Sequence, residues 1–148
     1  MRIVSASSHP EMFQGAYQIF CAYRNNPWSF DLFCEAMQKP GTLMAIKDDV
    51  VIAYVIISQI VDELEIEDIA VCTHAKRQGC ASALLQHMII RAKQTNLSHI
   101  LLEVAASNHG AMSLYAQHGF ENVGVRHNYY SDAAGKAKDA ILMRLDLK

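Results

Sequence analysis

The chain has 148 residues, of which 51% are hydrophobic and 19% charged, and its formal net charge is −2. This length suits one substantial core and is too short for two ordinary domains, so we expect a single domain over residues 1–148. A slightly acidic chain does not have the basic face that nucleic-acid binding usually needs. The N-terminal sequence has no leader pattern, and no apolar run approaches the roughly 18 residues of a membrane span. We therefore expect a cytoplasmic monomer or weak dimer that binds neither nucleic acid nor membrane.

The first half of the chain predicts a short strand, two helices and an antiparallel meander. Residues 3–6 have strand character, and helical sequence follows over residues 11–24. A second helix is expected after Pro27, with Ser29 as its N-cap. Two strand-like runs flank Asp48-Asp49, which predicts a hairpin, and LEIEDIAV at residues 64–71 continues the sheet.

The second half predicts a βαβ unit followed by a helix and two strands. An amphipathic helix over residues 81–94 precedes the buried strand ILLEV at 100–104, which would lie parallel to the strand before the helix. Asn108 suits the N-cap of the next helix, and Gly119 suits the left-handed residue that ends it. With two C-terminal strands at 120–130 and 139–147, we predict a mixed α/β (α+β) fold of six or seven strands and about four helices.

The loop CTHAKRQGC, residues 72–80, precedes the helix in that unit and is a candidate phosphate site. The first N–H groups of a helix have no intrahelical partner and the helix dipole is positive there, so a pyrophosphate can bind to the main chain. Gly79 leaves room for close approach, and Lys76 and Arg77 add charge. A loop glycine before a basic helix start is the alternative. The spacing fits neither the Walker pattern nor GxGxxG, which disfavours a nucleotide triphosphatase or a nicotinamide enzyme.

Acidic residues and cysteines allow further inferences. The segment DELEIED at residues 62–68 holds five acids and no base, and is either a solvated strand and turn or a field that attracts a cationic substrate.

The four cysteines form no CxxC pair, which favours reduced thiols; they are Cys21, Cys34, Cys72 and Cys80. No second ligand pair accompanies Cys72 and His74, so we expect no metal. No histidine has triad-like spacing to Cys72 or Cys80, so the sequence gives no sign of a covalent intermediate.

Several segments together resemble the GNAT superfamily of N-acetyltransferases. KRQGCA, residues 76–81, matches its acyl-CoA motif Gln/Arg-x-x-Gly-x-Gly/Ala except at the first position, where Lys76 stands. EDIAV, LLEVAASN, AMSLYAQHGF, PWS, RHNYY and DAILM are similar to a bacterial subfamily that acetylates the N-terminal alanine of a ribosomal protein. Two departures are Ala105, where that subfamily commonly has Arg, and Cys72-Thr73, where it has Asp-Pro.

The resemblance implies a single-domain GNAT fold, acetyl-CoA as co-substrate, and direct acetyl transfer to the N-terminus of a ribosomal protein. It implies that the strand Ile69-Ala70-Val71 splays from its parallel neighbour. The backbone of this strand would then bind pantetheine, and the Val71 N–H would point at the thioester oxygen. Asn108 is implied to bond the CoA arm. The implied cofactor-binding residues are Ile69, Ala70, Val71, Arg77, Gln78, Gly79, Cys80, Ala81, Ser82 and Asn108.

Acetyl transfer also needs a base for the amine and an acid for the thiolate. A peptide α-amine has a pKa of about 7.7–8.0 and lysine about 10.4, so the neutral amine costs roughly 1 kcal/mol at pH 7 for the former and more than about 4 for the latter. A modest base such as Glu103 therefore suffices for an N-terminus, and Glu67 is its rival. Tyr115 suits the general acid. On their own, Glu103 could be a strand-end carboxylate bonded to backbone and Tyr115 a core aromatic.

Trp28, Tyr129 and Tyr130 are candidates to line the acceptor groove, with a packing role as the alternative for each. If the acidic segment lies by that groove, it would suit a basic protein tail. Two other functions stay open from the sequence. One is a small-molecule amine acetyltransferase that acts on a polyamine, an amino acid or an antibiotic. The other is a non-catalytic CoA-binding or regulatory domain.

Overall fold

The protein folds into a mixed sheet with helices on both faces. The computed structural model describes the backbone of residues 1–131 and 137–148 and the side chains of 1–128 and 138–148. Over this part of the chain the strands and helices are β1 Arg2–Ser5, α1 Phe13–Ala22, α2 Phe30–Met37, β2 Leu43–Lys47, β3 Val50–Ile60, β4 Glu63–Val71, α3 Cys80–Gln94, β5 His99–Ala105, α4 His109–Gln117, β6 Glu121–Ser131 and β7 Ala137–Asp146. The prediction of six or seven strands and about four helices is confirmed. Tyr129 and Tyr130 belong to β6, but their side chains lie outside the described residues.

Strand order in the sheet is β1-β2-β3-β4-β5-β7-β6, and every neighbouring pair is antiparallel except β4 and β5. The central meander of β2, β3 and β4 and the parallel βαβ unit of β4, α3 and β5 are as predicted. Helix α1 begins at Phe13 rather than Glu11, because Pro10 starts a short 3-10 turn over Pro10–Met12. Among the described helices, none is long and apolar enough to cross a membrane.

Two hydrophobic cores lie on opposite faces of the sheet. On one face α1 and α2 pack against residues such as Tyr54 and Ile56 of β3. On the other face α3 and α4 pack against Leu64, Ile100 and Leu102, together with Tyr115 of α4. Side chains alternate along a strand, so the residues of β5 that do not enter this second core face the α1 and α2 side.

A β-bulge in β4 opens the sheet between its two parallel strands. Asp68 lies opposite Ile56 and Ile66 lies opposite Ile57, which leaves Glu67 as the extra residue. The parallel pairing of β4 with β5 ends at the Ile66–Leu102 pair, although β4 continues to Val71 and β5 to Ala105. A bulge bends its strand and increases the twist. The two strands therefore separate beyond Ile66, as the sequence resemblance implied.

Candidate active site

The end of β4 presents its backbone to the opening between β4 and β5. Cys72 N donates to Ile52 O at 2.8 Å, so the backbone groups of Cys72 point at β3. In an antiparallel ladder successive residues point their N–H and C=O groups to opposite sides. Val71 and Ile69 therefore direct theirs toward the opening, whereas Ala70, which lies opposite Tyr54, directs its own toward β3. The strand offers two of the three predicted residues as backbone partners for an extended ligand.

The start of α3 has the properties that bind a pyrophosphate. Its N-cap is Gly79, whose φ of 80° lies in the left-handed region. The space beside the Gly79 Cα is open, since a Cβ placed there would have no neighbouring atom within 4 Å. The first helical hydrogen bond runs from Ala83 N to Gly79 O at 3.0 Å, so the N–H groups of Cys80, Ala81 and Ser82 precede it. Because a glycine cap has no side chain to satisfy these donors, they fit the phosphate oxygens of an acyl-CoA.

The side chains of this loop are partly engaged within the protein. Gln78 Nε2 donates to His74 O at 3.2 Å, Lys76 Nζ lies 4.8 Å from the centroid of the Tyr23 ring, and Ser82 Oγ is 2.9 Å from His118 Nε2. Arg77 is exposed and has a φ of 64°. The main chain of the loop, rather than its side chains, is therefore its most available binding feature.

Glu103 faces an open groove from the middle of the sheet. Its neighbours Leu102 and Val104 are buried in the α3 and α4 core, so the Glu103 side chain projects from the other face. The Glu103 side chain is 21% exposed, and Arg126 Nη2 of β6 lies 2.9 Å from Glu103 Oε1. Arg126 belongs to the RHNYY segment, but no role could be predicted for it, because a contact across β7 cannot be seen from spacing.

Glu67, the rival base, lines the same groove but is held by neighbours. Lys39 Nζ contacts its two oxygens at 2.9 and 2.8 Å, and Ser58 Oγ also donates to it. Burial would raise the pKa of the Glu67 carboxyl, but the hydrogen bonds from Lys39 and Ser58 and the Lys39 charge outweigh it and lower the pKa. A carboxylate with a lowered pKa is a weaker base, which counts against Glu67 in that role.

This pair predicts a pH-dependent contribution to stability. A lowered folded-state pKa stabilises the fold above the ordinary carboxyl value of 4.5, and this contribution is lost as the pH falls through the folded-state pKa. We expect Lys39→Met to lower the free energy of unfolding at pH 7 by about 0.5–1 kcal/mol, because the pair is only half-buried. Urea denaturation should show the difference from wild type shrinking below pH 4.5.

The exposed Lys47→Met on β2 is the matched control, with little effect at either pH. A Lys39→Met difference of equal size at pH 7 and at pH 3.5 would contradict a stabilised Glu67 carboxylate.

A polar network that sequence reasoning missed lies beneath the bulge. The hydroxyl of Tyr54, a fully buried residue, donates to Asp68 Oδ2 at 2.5 Å, and Arg24 Nη2 lies 2.6 Å from Asp68 Oδ1. The Arg24 guanidinium also covers the Phe20 ring at 3.9 Å. Burial, followed by the Asp68 charge and hydrogen bond, raises the pKa of the Tyr54 phenol well above its ordinary value. The network ties the end of α1 to the bulge, so it stabilises the strand where the sheet opens.

Asn108 and Tyr115 belong to α4, on the face of the sheet opposite Glu103. Asn108 Oδ1 accepts from Ala111 N at 3.2 Å and caps the helix, as predicted, which leaves the Nδ2 hydrogens of that amide to donate to a ligand. Tyr115 is 5% exposed and its ring packs edge-on against Phe120 with centroids 5.9 Å apart. Glu103 and Tyr115 therefore belong to opposite faces of the sheet.

The thiols near the loop differ in accessibility. Cys80 is buried and its Sγ lies 3.8 Å from Ala75 O. Cys72 is partly buried, and its Sγ lies 3.6 Å from Nε2 of His74, its partner in the pair that the sequence suggested. Among the described residues, no three His, Cys, Asp or Glu side chains form a group that could hold a metal ion.

The groove in front of Glu103 has a volume of about 740 Å³. Residues of α2 and the exposed Trp28 line it. Among the residues that the structure describes, its charged lining side chains are four carboxylates and two cations, namely Glu35, Glu65, Glu67, Glu103, Lys39 and Arg126. This described lining is net acidic and open to an extended ligand.

The acidic segment 62–68 is mostly paired inside the protein rather than aimed at this groove. Asp62 accepts from Ser98, Glu63 pairs with His99 at 3.0 Å, and Asp68 pairs with Arg24. Only Glu65 and Glu67 of the segment line the groove. The interpretation as a strand and turn therefore fits most of the segment. Glu65 and Glu67 are its two residues that could act as a field on a cationic substrate.

Comparison with known proteins agrees with this site. The sequence profile of the Acetyltransferase (GNAT) family matches residues 8–120. Together, the splayed strands, the glycine-capped helix and this match define an acetyl-CoA-dependent acyltransferase. The chain belongs to the GNAT family of acetyltransferases.

Among its relatives are the ribosomal protein bS18-alanine N-acetyltransferases of Escherichia coli (strain K12), at 32% identity, and of Salmonella typhimurium (strain LT2), at 34%. Each alignment spans 133 residues and covers 89% of this chain and 89% of the relative. The crystal structure of the ribosomal-protein-S18-alanine N-acetyltransferase from Escherichia coli superimposes with a TM-score of 0.89 at 31% identity, over 99% of this chain and 94% of that one. Ard1 from Thermoplasma volcanium, with a TM-score of 0.86 at 22% identity over 98% of this chain and 96% of that one, shares the fold.

Proposed function

We propose that the protein transfers the acetyl group of acetyl-CoA to the N-terminal amine of a ribosomal protein whose first residue is alanine. The observation that carries the proposal is the open acidic groove, which has Glu103 on its wall and lies beside the separated ends of β4 and β5. Such a groove admits an extended chain end, and its four carboxylates against two cations suit a basic protein tail. The relatives named for bS18-alanine acetylation, at 32–34% identity, support the choice of acceptor.

The residues of the chain divide the chemistry between them. The N–H groups at the start of α3 would hold the pyrophosphate, and the backbone of Ile69 would hold the pantetheine arm. Bound acetyl-CoA supplies the activated acetyl group as a thioester. In this proposal the Val71 N–H stabilises charge on the thioester oxygen, and Glu103 removes a proton from the ammonium of the acceptor.

Tyr115 delivers the proton that the leaving thiolate needs. The amine attacks directly and its bond to the acetyl carbon forms as the carbon–sulfur bond breaks. As the amide forms, the attacking nitrogen loses its second proton to solvent, from which Tyr115 regains the proton that it gave, and no thiol of the protein is acylated. An α-amine suits this site better than lysine, because the neutral form costs roughly 3 kcal/mol less at pH 7.

A peptide competition tests the acceptor. We expect the enzyme to acetylate a basic peptide that begins with alanine at least about a hundredfold faster, in kcat/KM, than the same peptide with a blocked N-terminus and a free lysine, since the difference in amine pKa alone allows a factor of that order. Spermidine and free alanine serve as the small-amine comparison. Faster turnover of the free amines would contradict the protein acceptor, and acetyl-CoA binding without turnover on any of these would contradict catalysis.

Mass spectrometry of ribosomal proteins from cells with and without the gene tests the same claim in the cell. When the gene is deleted, one ribosomal protein is expected to become lighter by about 42 Da, the mass that one N-terminal acetylation adds. An unchanged set of N-termini would remove the ribosomal acceptor while leaving acetyl transfer itself intact.

A further inference from the structure

One exposed aromatic residue outside the predicted site contacts two separate parts of it. Tyr23 follows the last residue of α1 and is 42% exposed. Its hydroxyl donates to Val71 O at 2.6 Å, and its ring lies 4.8 Å beneath Lys76 Nζ. Val71 ends the splayed strand, and Lys76 begins the phosphate-binding segment. Tyr23 therefore joins the two halves of the cofactor site through one side chain.

The contact with Val71 bears on the peptide group that faces the reaction. Both backbone groups of Val71 point toward the opening, so its carbonyl oxygen would present negative charge beside the N–H that is to stabilise an oxyanion. A phenol hydrogen at 2.6 Å offsets that charge and fixes the orientation of the carbonyl. Because Tyr23 is anchored at the end of α1, it holds this strand end in one position.

The contact with Lys76 bears on the other end of the ligand. A lysine ammonium over an aromatic face is attracted by the ring quadrupole, and this restricts a long and exposed side chain. The ring of Tyr23 thus keeps one positive charge close to the start of α3, where the pyrophosphate would bind.

We propose that Tyr23 is a positioning residue for acetyl-CoA, with its hydroxyl serving the thioester end and its ring serving the phosphate end through Lys76. This inference rests on the proposed acetyl-CoA site. It makes two separable statements, because a phenylalanine would keep the ring and lose the hydroxyl, whereas a leucine would lose both.

Two acetyl donors distinguish these statements. Acetyl-CoA has the phosphates, and S-acetylpantetheine has the thioester arm without them. We expect Tyr23→Phe to lower kcat/KM about three- to tenfold for both donors, since the lost hydrogen bond serves the part that they share. We expect Tyr23→Leu to lower kcat/KM by a further factor of about two to five with acetyl-CoA, and by no further factor with S-acetylpantetheine. This factor corresponds to the strength of an exposed cation–π contact. Calorimetric binding of CoA should weaken by that same further factor.

A double variant completes the test. In a Lys76→Met background, Tyr23→Leu and Tyr23→Phe should become equal for acetyl-CoA, because the ring then has no ammonium to hold. If Tyr23→Phe stays within twofold of wild type for both donors, the hydroxyl has no such role. If the ratio of the two donors is the same in Tyr23→Leu and Tyr23→Phe, the ring has none. A wild-type protein that binds no CoA would instead refute the proposed function, which keeps the two failures apart.

Discussion

Glu103→Gln is expected to lower kcat by about a hundred- to a thousandfold at pH 7 while the KM for acetyl-CoA changes little. The amide keeps the size of the side chain and removes its ability to accept the proton of the substrate ammonium. The acceptor α-amine has its own pKa near 7.7–8.0, so it deprotonates in solution as the pH rises. The loss should therefore shrink above about pH 8.5, and a pH profile of kcat/KM for the acceptor peptide measures it.

Glu67→Gln is the matched comparison, since both carboxylates line one groove and only one is proposed as the base. Lys39 and Ser58 already satisfy Glu67, so we expect its variant to keep kcat within about fivefold and to lose chiefly stability. The reverse ranking, with the greater and pH-dependent loss at Glu67, would make Glu67 the base. A Glu103→Gln profile parallel to that of wild type would show that Glu103 does not take the proton.

The order and type of the elements follow from local signals that tertiary contacts did not override. The helical spacing of Leu84, Leu85 and Met88, the N-cap at Ser29 and the left-handed Gly119 all act within a few residues of chain. Each prediction could be made because the physics that decides it is short-range. The start of α1 differs from its prediction by two residues because Pro10 starts a separate turn.

The candidate site was predictable where it depends on one segment and not where it depends on pairs of segments. The glycine cap of α3 and the N-cap at Asn108 are single-segment features. The contacts of Glu103 with Arg126 and of Glu67 with Lys39 join residues far apart in sequence, so spacing contains no trace of them. The splay of β4 from β5 came from family resemblance, since the alternation of side chains does not reveal a bulge at Glu67.

These long-range pairs change the chemical argument, because they decide which carboxylates have a competing cation. In the acidic segment, Arg24 and Lys39 offset the charges of Asp68 and Glu67, and Ser98 and His99 hold Asp62 and Glu63 away from the groove. What remains at the groove is a smaller set of acids close to the bulge. Selectivity for a basic acceptor would therefore be local to the first residues of the acceptor chain, rather than a property of the whole surface.

Tyr115→Phe is expected to lower kcat by about ten- to a hundredfold, a smaller loss than that of Glu103→Gln. A thiol has an ordinary pKa of about 8.5 and a phenol about 10, so a thiolate is a tolerable leaving group and an acid assists its departure without being indispensable. Phenylalanine keeps the ring that packs on Phe120 inside the α3 and α4 core. The KM for acetyl-CoA should stay within about threefold of wild type.

Phe120→Leu is the control for packing, because it disturbs the same ring contact and retains the Tyr115 hydroxyl. A large-to-smaller change at a residue that is 3% exposed should lower the melting temperature by several degrees, at roughly 1–2 kcal/mol, and leave kcat at 25 °C close to wild type. Equal kcat losses in the two variants would mean that Tyr115 supports α4 and has no part in proton transfer. A loss confined to Tyr115→Phe, at unchanged melting temperature, assigns the effect to the hydroxyl, because that variant keeps the ring contact which Phe120→Leu disturbs.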